Sequence, residues 1–256
     1  MKYIILISAV LLGLWGCGTT VNTALMGPGQ RLDYAVKLYN NEDYQEAIKE
    51  FQAIVLQYPG NVVVDSAQYY LGECHYQRGE YILGAYEFSR LVKNMPASKF
   101  VPDAQYMLAQ CYFKLSPYYE LDQKYTKKAI SEFQAFIDFF PTNSKVPDAE
   151  KKIAELNEKL AHKEYNTAYI YTKLEDYIAA TMYYDYVLDT YHDTKYAPLA
   201  LYGKINVLVI RKKDNEALEN IVQFLEKYPK DSHVKELEKL KTTLEAKSST
   251  DINGKS

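Results

Sequence analysis

Apolar residues recur along most of the chain at helical spacing, with a small residue followed four positions later by a large apolar one. Four copies of this pattern end in an aromatic residue, and a fifth, weaker copy ends in isoleucine. Residues i and i+4 share one face of a helix, so the small residue lets a second helix approach and the large one fills the space between them. The pattern therefore predicts five helix pairs. Its small and large positions are Ala47 and Phe51, Gly84 and Phe88, Ala129 and Phe133, Ala180 and Tyr184, and Ala217 and Ile221.

A second pattern marks where each predicted pair ends and the next begins. Aromatic or methionine residues, mostly followed by a polar turn or proline, close the pairs at spacings of 37, 45, 51 and 37 residues. Helix starts such as Pro102-Asp103 and Pro147-Asp148 follow, where proline loses no hydrogen bond and the carboxylate meets the positive end of the helix dipole. The spacing of the small and aromatic residues is that of tetratricopeptide repeats, whose usual period of about 34 residues is here lengthened by about three in the connection. We therefore predict an all-α tetratricopeptide-repeat superhelix of about five helix–turn–helix repeats.

Two stretches depart from this period, and both bear on the organisation of the chain. Residues 116–124 form an insertion between the helices of the third repeat, and loops of this kind often contact partners. Residues 148–174 predict one long helix that joins repeats 1–3 (31–146) to repeats 4 and 5 (147–244). The polar tail, 245–256, is predicted to be disordered. The candidate partner contacts in the inserted loop are Tyr118, Tyr119 and Asp122, with a passive surface loop as the alternative.

The N-terminus has the pattern of an export signal. Lys2 precedes an apolar run of about thirteen residues, shorter than the roughly 20 that a transmembrane helix needs. Leu14-Trp15-Gly16-Cys17 resembles a bacterial lipobox, so we predict a signal peptide over 1–16 and a lipid on Cys17. A plain signal peptide with an incidental cysteine is the alternative. Residues 17–30 are predicted to form a tether between the domain and a membrane that it reaches through this lipid anchor.

The two remaining cysteines, Cys74 and Cys111, occupy equivalent points of successive repeats. Equivalent points on stacked helices lie on the order of 10 Å apart. A disulfide needs Cα atoms within roughly 7 Å. We therefore predict two free, buried thiols.

Charge and composition exclude several classes of function. The chain has 30 Lys and Arg against 33 Asp and Glu, so it lacks the basic surplus of a protein that binds nucleic acid. Its four histidines are scattered without partners at ligand spacing, which argues against a metal site. It has no glycine-rich phosphate loop and no Gly-x-Ser-x-Gly elbow. We predict no catalytic residues, no metal and no cofactor, and a protein that is not an enzyme.

The abundance of tyrosine points instead to binding. The chain has 26 Tyr against 9 Phe and 1 Trp, and tyrosine suits half-buried surfaces because its ring is apolar and its tip is polar. The first helices of the repeats would line the concave side of the superhelix. An aromatic, mostly uncharged groove there would suit an extended peptide, although packing against neighbouring helices is the alternative for each residue. The predicted groove residues are Tyr39, Tyr69, Glu73, Tyr76, Tyr106, Gln110 and Phe113.

Specific motifs in the third repeat and beyond resemble a known family. They are Ala109-Gln110-Cys111-Tyr112-Phe113-Lys114-Leu115-Ser116-Pro117, Leu121-Asp122-Gln123, Tyr125-Thr126-Lys127-Lys128-Ala129-Ile130, Phe140-Pro141-Thr142-Asn143-Ser144 and Lys159-Leu160-Ala161-His162-Lys163-Glu164-Tyr165. Together with the lipobox and five repeats, they resemble the BamD-like family of outer-membrane protein assembly lipoproteins, across essentially all of the mature chain.

The resemblance implies a subunit of the outer-membrane β-barrel assembly (BAM) complex, lipid-anchored in the outer membrane and facing the periplasm. It implies that the N-terminal repeats receive unfolded β-barrel proteins through their C-terminal strand. The C-terminal repeats would dock on the BamA-like barrel subunit. The sequence is also compatible with two other functions. One is a periplasmic repeat lipoprotein that scaffolds cell-wall or division complexes, and the other is a carbohydrate-binding lipoprotein of a nutrient-uptake system.

Overall fold

The computed structural model describes residues 22–253, and the predicted signal peptide and Cys17 lie outside them. Within this range the chain forms eleven α-helices and no strand, after a short 3-10 turn at Thr23–Leu25. The helices are α1 (Pro28–Asn40), α2 (Tyr44–Gln57), α3 (Val64–Gln77), α4 (Tyr81–Asn94), α5 (Val101–Leu115), α6 (Lys124–Phe139), α7 (Val146–Lys173), α8 (Tyr177–Thr190), α9 (Tyr196–Ile210), α10 (Asp214–Lys227) and α11 (Val234–Asn253).

Each helix packs mainly against the helices immediately before and after it in the chain. The ten helices α1–α10 therefore form five successive antiparallel pairs, and α11 covers the last pair. This is the predicted superhelix of tetratricopeptide-like repeats, in which each repeat is stabilised by its neighbours. The 28-residue helix α7 contacts α6, α8 and α9 and so lies between the third repeat and the last two.

The small and aromatic residues of the repeats pack as their spacing predicts. Phe51, Phe88, Phe133 and Tyr184 are all fully buried between helices. Two first helices carry a glycine against which such a ring lies: Gly72 faces Phe88 of its own repeat, and Gly203 of repeat 5 faces Tyr184 of repeat 4. An ideal Cβ on Gly72 would lie 2.7 Å from Cε1 of Phe88, and one on Gly203 would lie 2.5 Å from Cζ of Tyr184. These glycines are required by close approach.

The Gly72→Ala substitution is therefore expected to destabilise the fold. The added methyl group must displace the Phe88 ring, and overpacking of this kind typically costs about 1–3 kcal/mol. The matched control is Gly29→Ala in α1, where the new Cβ would meet nothing within 4 Å. That exchange should be neutral or stabilising by up to about 1 kcal/mol. Urea denaturation of both variants measures the difference, and equal stabilities would contradict the packing.

The turns between the two helices of a repeat share one backbone feature, a residue in the left-handed conformation. Glu42, Gly79, Glu175 and Lys212 all have positive φ, between 57° and 75°, immediately after the first helix of repeats 1, 2, 4 and 5. This left-handed conformation ends a helix and reverses the chain, and it favours glycine. Repeat 3 has no such residue, because the inserted loop 116–123 takes the place of the tight turn.

Both ends of the described chain are more ordered than the sequence predicts. The predicted tether, 17–30, already contains the start of α1, and the Thr23 hydroxyl donates to Glu50 Oε1 at 3.2 Å. At the other end, α11 continues to Asn253, so the predicted disordered tail is wrong for 245–253. The helix continues because Leu244 is buried against repeat 5 and the following residues include good helix formers.

Cys74 and Cys111 are free and buried, as predicted. No helix in the part of the chain that the structure describes has the length and apolar character needed to cross a membrane.

Candidate peptide-binding groove

A groove of about 520 Å³ lies between α3, α5 and the first turns of α7. Five of the seven predicted groove residues line it, at helical spacings of three or four positions that place them on one face of each helix. They are Glu73 and Tyr76 from α3, and Tyr106, Gln110 and Phe113 from α5. The first helices of repeats 2 and 3 therefore meet at one site, which the first helix of repeat 4 closes.

Tyr39 and Tyr69 are not in this lining but behind it. The Tyr39 hydroxyl donates to Glu73 Oε2 at 3.4 Å, and Tyr69 interacts with the same carboxylate. The Tyr69 ring also stacks on Phe100, with centroids 4.9 Å apart. Burial, followed by the charge of Glu73, raises the pKa of Tyr39 to about 12. These two tyrosines hold the Glu73 carboxylate in place and do not line the groove. They therefore follow the alternative that the sequence left open, which is packing against neighbouring helices.

Glu73 is a largely buried carboxylate at the end of the groove. Burial raises its pKa above the ordinary carboxyl range, although the hydroxyls of Tyr39 and Tyr69 oppose the shift. Its Oε1 atom is buried and has no hydrogen-bond partner among the described residues. The carboxylate therefore keeps one unsatisfied acceptor atom behind the surface of the groove.

The raised pKa of Glu73 predicts that the folded protein is more stable at low pH, where this carboxyl group is protonated, than at neutral pH. Because the folded pKa is above the unfolded one, the contribution is fully present below the unfolded pKa and is lost as pH rises through the folded pKa. We expect Glu73→Gln to be more stable than the wild type at pH 7, and the gap to close as pH falls to about 4. Urea denaturation at both pH values measures this. A gap between Glu73→Gln and the wild type that does not change with pH would contradict this expectation.

Tyr106 is buried at the floor of the groove, and its hydroxyl is already engaged. It donates to Asp148 Oδ2 and accepts from Gln110 Nε2 at 2.5 Å. Burial, and then the hydrogen bond to Asp148, raise the pKa of Tyr106. The Tyr106 hydroxyl therefore organises the floor, and the polar group that faces a ligand is the Gln110 amide beside it.

The wall that α7 contributes is charged, so the expectation of a mostly uncharged groove is wrong. Asp148 pairs with Lys152 Nζ at 2.6 Å, and the Lys152 ammonium lies 5.6 Å from the Phe113 ring centroid. Burial alone would raise the pKa of Asp148, but the hydrogen bonds from Lys152 and Tyr106 outweigh it and lower the pKa. Lys151 and Glu155 complete this wall. Sequence reasoning used Pro147-Asp148 only as a helix start and missed its place in the site.

The inserted loop of repeat 3 is held against α7 by ring stacking and hydrogen bonds. The Tyr119 ring stacks on His162 at a centroid distance of 3.7 Å, and His162 stacks on Tyr196 at 4.8 Å. Lys163 Nζ donates to the backbone carbonyls of Glu120 and Leu121 at 3.1 and 3.0 Å. The loop is thus held between repeat 3 and the C-terminal half.

The three predicted contacts in this loop have different surroundings. Tyr118 is 65% exposed and is available to a partner. Tyr119 is engaged in the stack on His162, and the exposed Asp122 accepts the Lys124 backbone N–H at 3.0 Å, at the start of α6. Among the residues that the structure describes, no group of three or more His, Cys, Asp or Glu could hold a metal ion.

Comparison with known proteins identifies the family. A family model described as "YfiO: Outer membrane lipoprotein" matches residues 30–216. The outer membrane protein assembly factor BamD of Rickettsia prowazekii is 27% identical over 228 residues, which are 85% of this chain and 88% of the relative. Among solved structures, a tetratricopeptide-repeat protein of Bacteroides fragilis has 14% identity and a TM-score of 0.46, and covers 86% of this chain and 98% of its own. A Thermus thermophilus repeat protein has 18% identity and a TM-score of 0.37, with 85% and 98% covered. Because the family model matches well over half of its length, the chain belongs to the YfiO family of outer membrane lipoproteins.

Proposed function

We propose that this chain is a non-enzymatic subunit of the outer-membrane β-barrel assembly complex, anchored through a lipid on Cys17 and facing the periplasm. Membership of an outer membrane lipoprotein family supports the placement, and the assembly role in the name of its Rickettsia prowazekii relative supports the process. The observation that carries the proposal is the groove of repeats 2–4, an aromatic and polar site of peptide size in a helical-repeat scaffold.

The ligand that fits this groove is the C-terminal strand of an unfolded barrel protein. Tyr76 and Phe113 offer aromatic surface for an aromatic or aliphatic side chain, and such pairs are worth about 0.5–1.5 kcal/mol beyond the area they bury. The Gln110 amide lies in the lining, where it can hydrogen-bond a peptide backbone. Lys151 supplies positive charge in the α7 wall, where a terminal carboxylate would be stabilised, whereas Lys152 is already paired with Asp148.

The C-terminal half, α8–α11, is proposed to dock on the barrel subunit of the complex. The inserted loop is proposed as a second contact through the exposed ring of Tyr118. Because Lys163 and His162 fasten this loop to α7, a partner bound there would touch the junction between the two halves.

Co-purification from membranes tests the proposal as a whole. The full lipoprotein, isolated with mild detergent, should carry the barrel subunit and unfolded barrel proteins with it. A Phe113→Ala variant should lose the unfolded barrel proteins and keep the barrel subunit, because the groove and the C-terminal half are separate surfaces. Recovery of cell-wall enzymes, division proteins or a sugar transporter in place of the barrel subunit would contradict the proposal.

A further inference from the structure

The outer face of α8 carries large apolar side chains that nothing covers in the described chain. Ile178, Met182 and Tyr186 are 63%, 67% and 43% exposed, and their spacing of four residues places them in one stripe about 12 Å long. Leu174, in the turn that precedes α8, is also 68% exposed. We call Ile178, Met182 and Tyr186 the repeat-4 stripe. The opposite face of α8 is buried against its neighbours through Ala180, Tyr184 and Val187.

An exposed apolar pair of the same spacing, Ile82 and Tyr86, lies on α4, the equivalent helix of repeat 2, but there the Arg90 guanidinium lies 5.6 Å from the Tyr86 ring centroid. The equivalent helix of repeat 5, α10, turns mostly polar residues such as Glu219, Gln223 and Glu226 to the outside. A surface helix normally presents charged or polar residues to water on its outer face. Contiguous apolar exposure of this kind marks a site of interaction.

The charged residues of α8 itself are all acidic. Between Leu174 and Thr194 the chain has no lysine or arginine and five carboxylates. Asp185 is paired with Lys204 at 2.7 Å, but Asp189 is exposed and follows Tyr186 by three residues, which places it on the same face. Beside the stripe, Glu164 lines a shallow groove of about 430 Å³ together with Met182, Tyr183 and Tyr186. Burial raises the pKa of this carboxyl group.

We propose that the repeat-4 stripe binds an amphipathic helix of a partner protein whose apolar stripe is flanked by lysine or arginine. The backbone groups inside α8 are bonded within the helix, so the surface offers no edge to a β-strand and must be recognised through side chains. An amphipathic helix with apolar anchors at i, i+4 and i+8 matches the row, and basic residues beside it would meet Asp189 and Glu164. An anionic lipid surface would be repelled by the same carboxylates.

This inference rests on the proposed docking role of the C-terminal half, for which it specifies the chemistry of the partner. It concerns a surface on α7 and α8 that is separate from the groove residues Tyr76 and Phe113. Loss of helical-peptide binding at the repeat-4 stripe can therefore be distinguished from loss of strand-peptide binding in the groove.

The probe is a fluorescent 18-residue helical peptide with a leucine stripe flanked by lysines. It is titrated against the full lipoprotein in detergent and compared with the same peptide carrying glutamates in place of lysines. We expect the lysine peptide to bind and the glutamate peptide to bind at least tenfold more weakly. Met182→Glu should reduce binding of the lysine peptide at least tenfold. The matched control, Ile82→Glu on the outer face of α4, replaces a side chain of 59% exposure and should leave binding unchanged.

A charge exchange makes the test specific. Asp189→Lys should weaken the lysine peptide and strengthen the glutamate peptide, with helix content by circular dichroism unchanged. Equal binding of the two peptides, or equal effects of Met182→Glu and Ile82→Glu, would overturn the proposal. So would self-association of the chain that Met182→Glu abolishes, which would identify a second copy as the occupant. Binding of the unlipidated Cys17→Ala chain to phosphatidylglycerol vesicles, lost in Met182→Glu, would likewise overturn it in favour of a lipid surface.

Discussion

Replacing Tyr76 and Phe113 together with alanine is expected to weaken binding of a barrel C-terminal strand peptide by at least about tenfold. Aromatic residues at the centre of a binding site commonly contribute 2 kcal/mol or more, and 1.4 kcal/mol corresponds to a factor of ten in affinity. Both rings line the groove and neither is fully buried, so the exchange removes ligand contact more than it removes core packing. Fluorescence anisotropy with a labelled peptide that ends in phenylalanine measures the effect.

The matched control is the double variant Ile82→Ala and Tyr86→Ala on the outer face of α4. Both side chains are 59% exposed and neither lines the groove, so affinity should stay within a factor of two. An equal loss in both double variants would mean that the peptide binds through general apolar contact. Unchanged affinity in the groove variant would remove the groove as the binding site.

The Phe133→Ala substitution is expected to lower the free energy of unfolding by about 3–5 kcal/mol. Phe133 is fully buried and packs edge to face with Tyr106 and Phe113, at centroid distances of 5.8 and 6.3 Å. Its removal loses buried apolar area and leaves a cavity that the helices fill only in part. Because Tyr106 and Phe113 line the groove, we also expect peptide affinity to fall in this variant.

Phe139→Ala on the same helix is the control for this loss. Phe139 is 74% exposed, and surface exchanges of this kind usually change stability by no more than about 0.5 kcal/mol. Urea denaturation of the mature chain measures both variants. A small effect of Phe133→Ala, close to that of Phe139→Ala, would contradict the assignment of the i+4 aromatics as the residues that join each helix pair.

The helix pairs could be predicted because their signals are local. The small residue and the aromatic of each pair, such as Ala129 and Phe133, lie four positions apart in one helix, and Pro147-Asp148 marks a helix start by itself. The helical structure of residues 245–253 could not be predicted from their own polarity. Residues after Leu244 are polar, but a helix that is already packed through Leu237 and Leu244 continues at little cost through residues with good helix propensity.

The site could be predicted only in part, because its chemistry depends on contacts that are distant along the chain. The spacing of Tyr106, Gln110 and Phe113 placed them on one face of α5, which the structure has. The Tyr106 hydroxyl donates a hydrogen bond to Asp148, 42 residues later in the chain. This contact depends on how α7 packs on the third repeat. In the same way, Tyr39 and Tyr69 were placed on the concave side by register alone, whereas their hydroxyl groups face Glu73. The exposed face of α8 depends on which neighbours stack against it.

Cross-linking from a bound peptide shows which residues of the chain the peptide contacts. A synthetic strand peptide with a photoreactive phenylalanine in place of its last aromatic residue is bound to the full lipoprotein and irradiated, and mass spectrometry locates the cross-links. We expect saturable cross-links at Tyr76, at residues 110–114 and at residues 151–155, suppressed by an excess of unlabelled peptide. Specific cross-links confined to α8–α11, or none that the unlabelled peptide suppresses, would contradict this expectation.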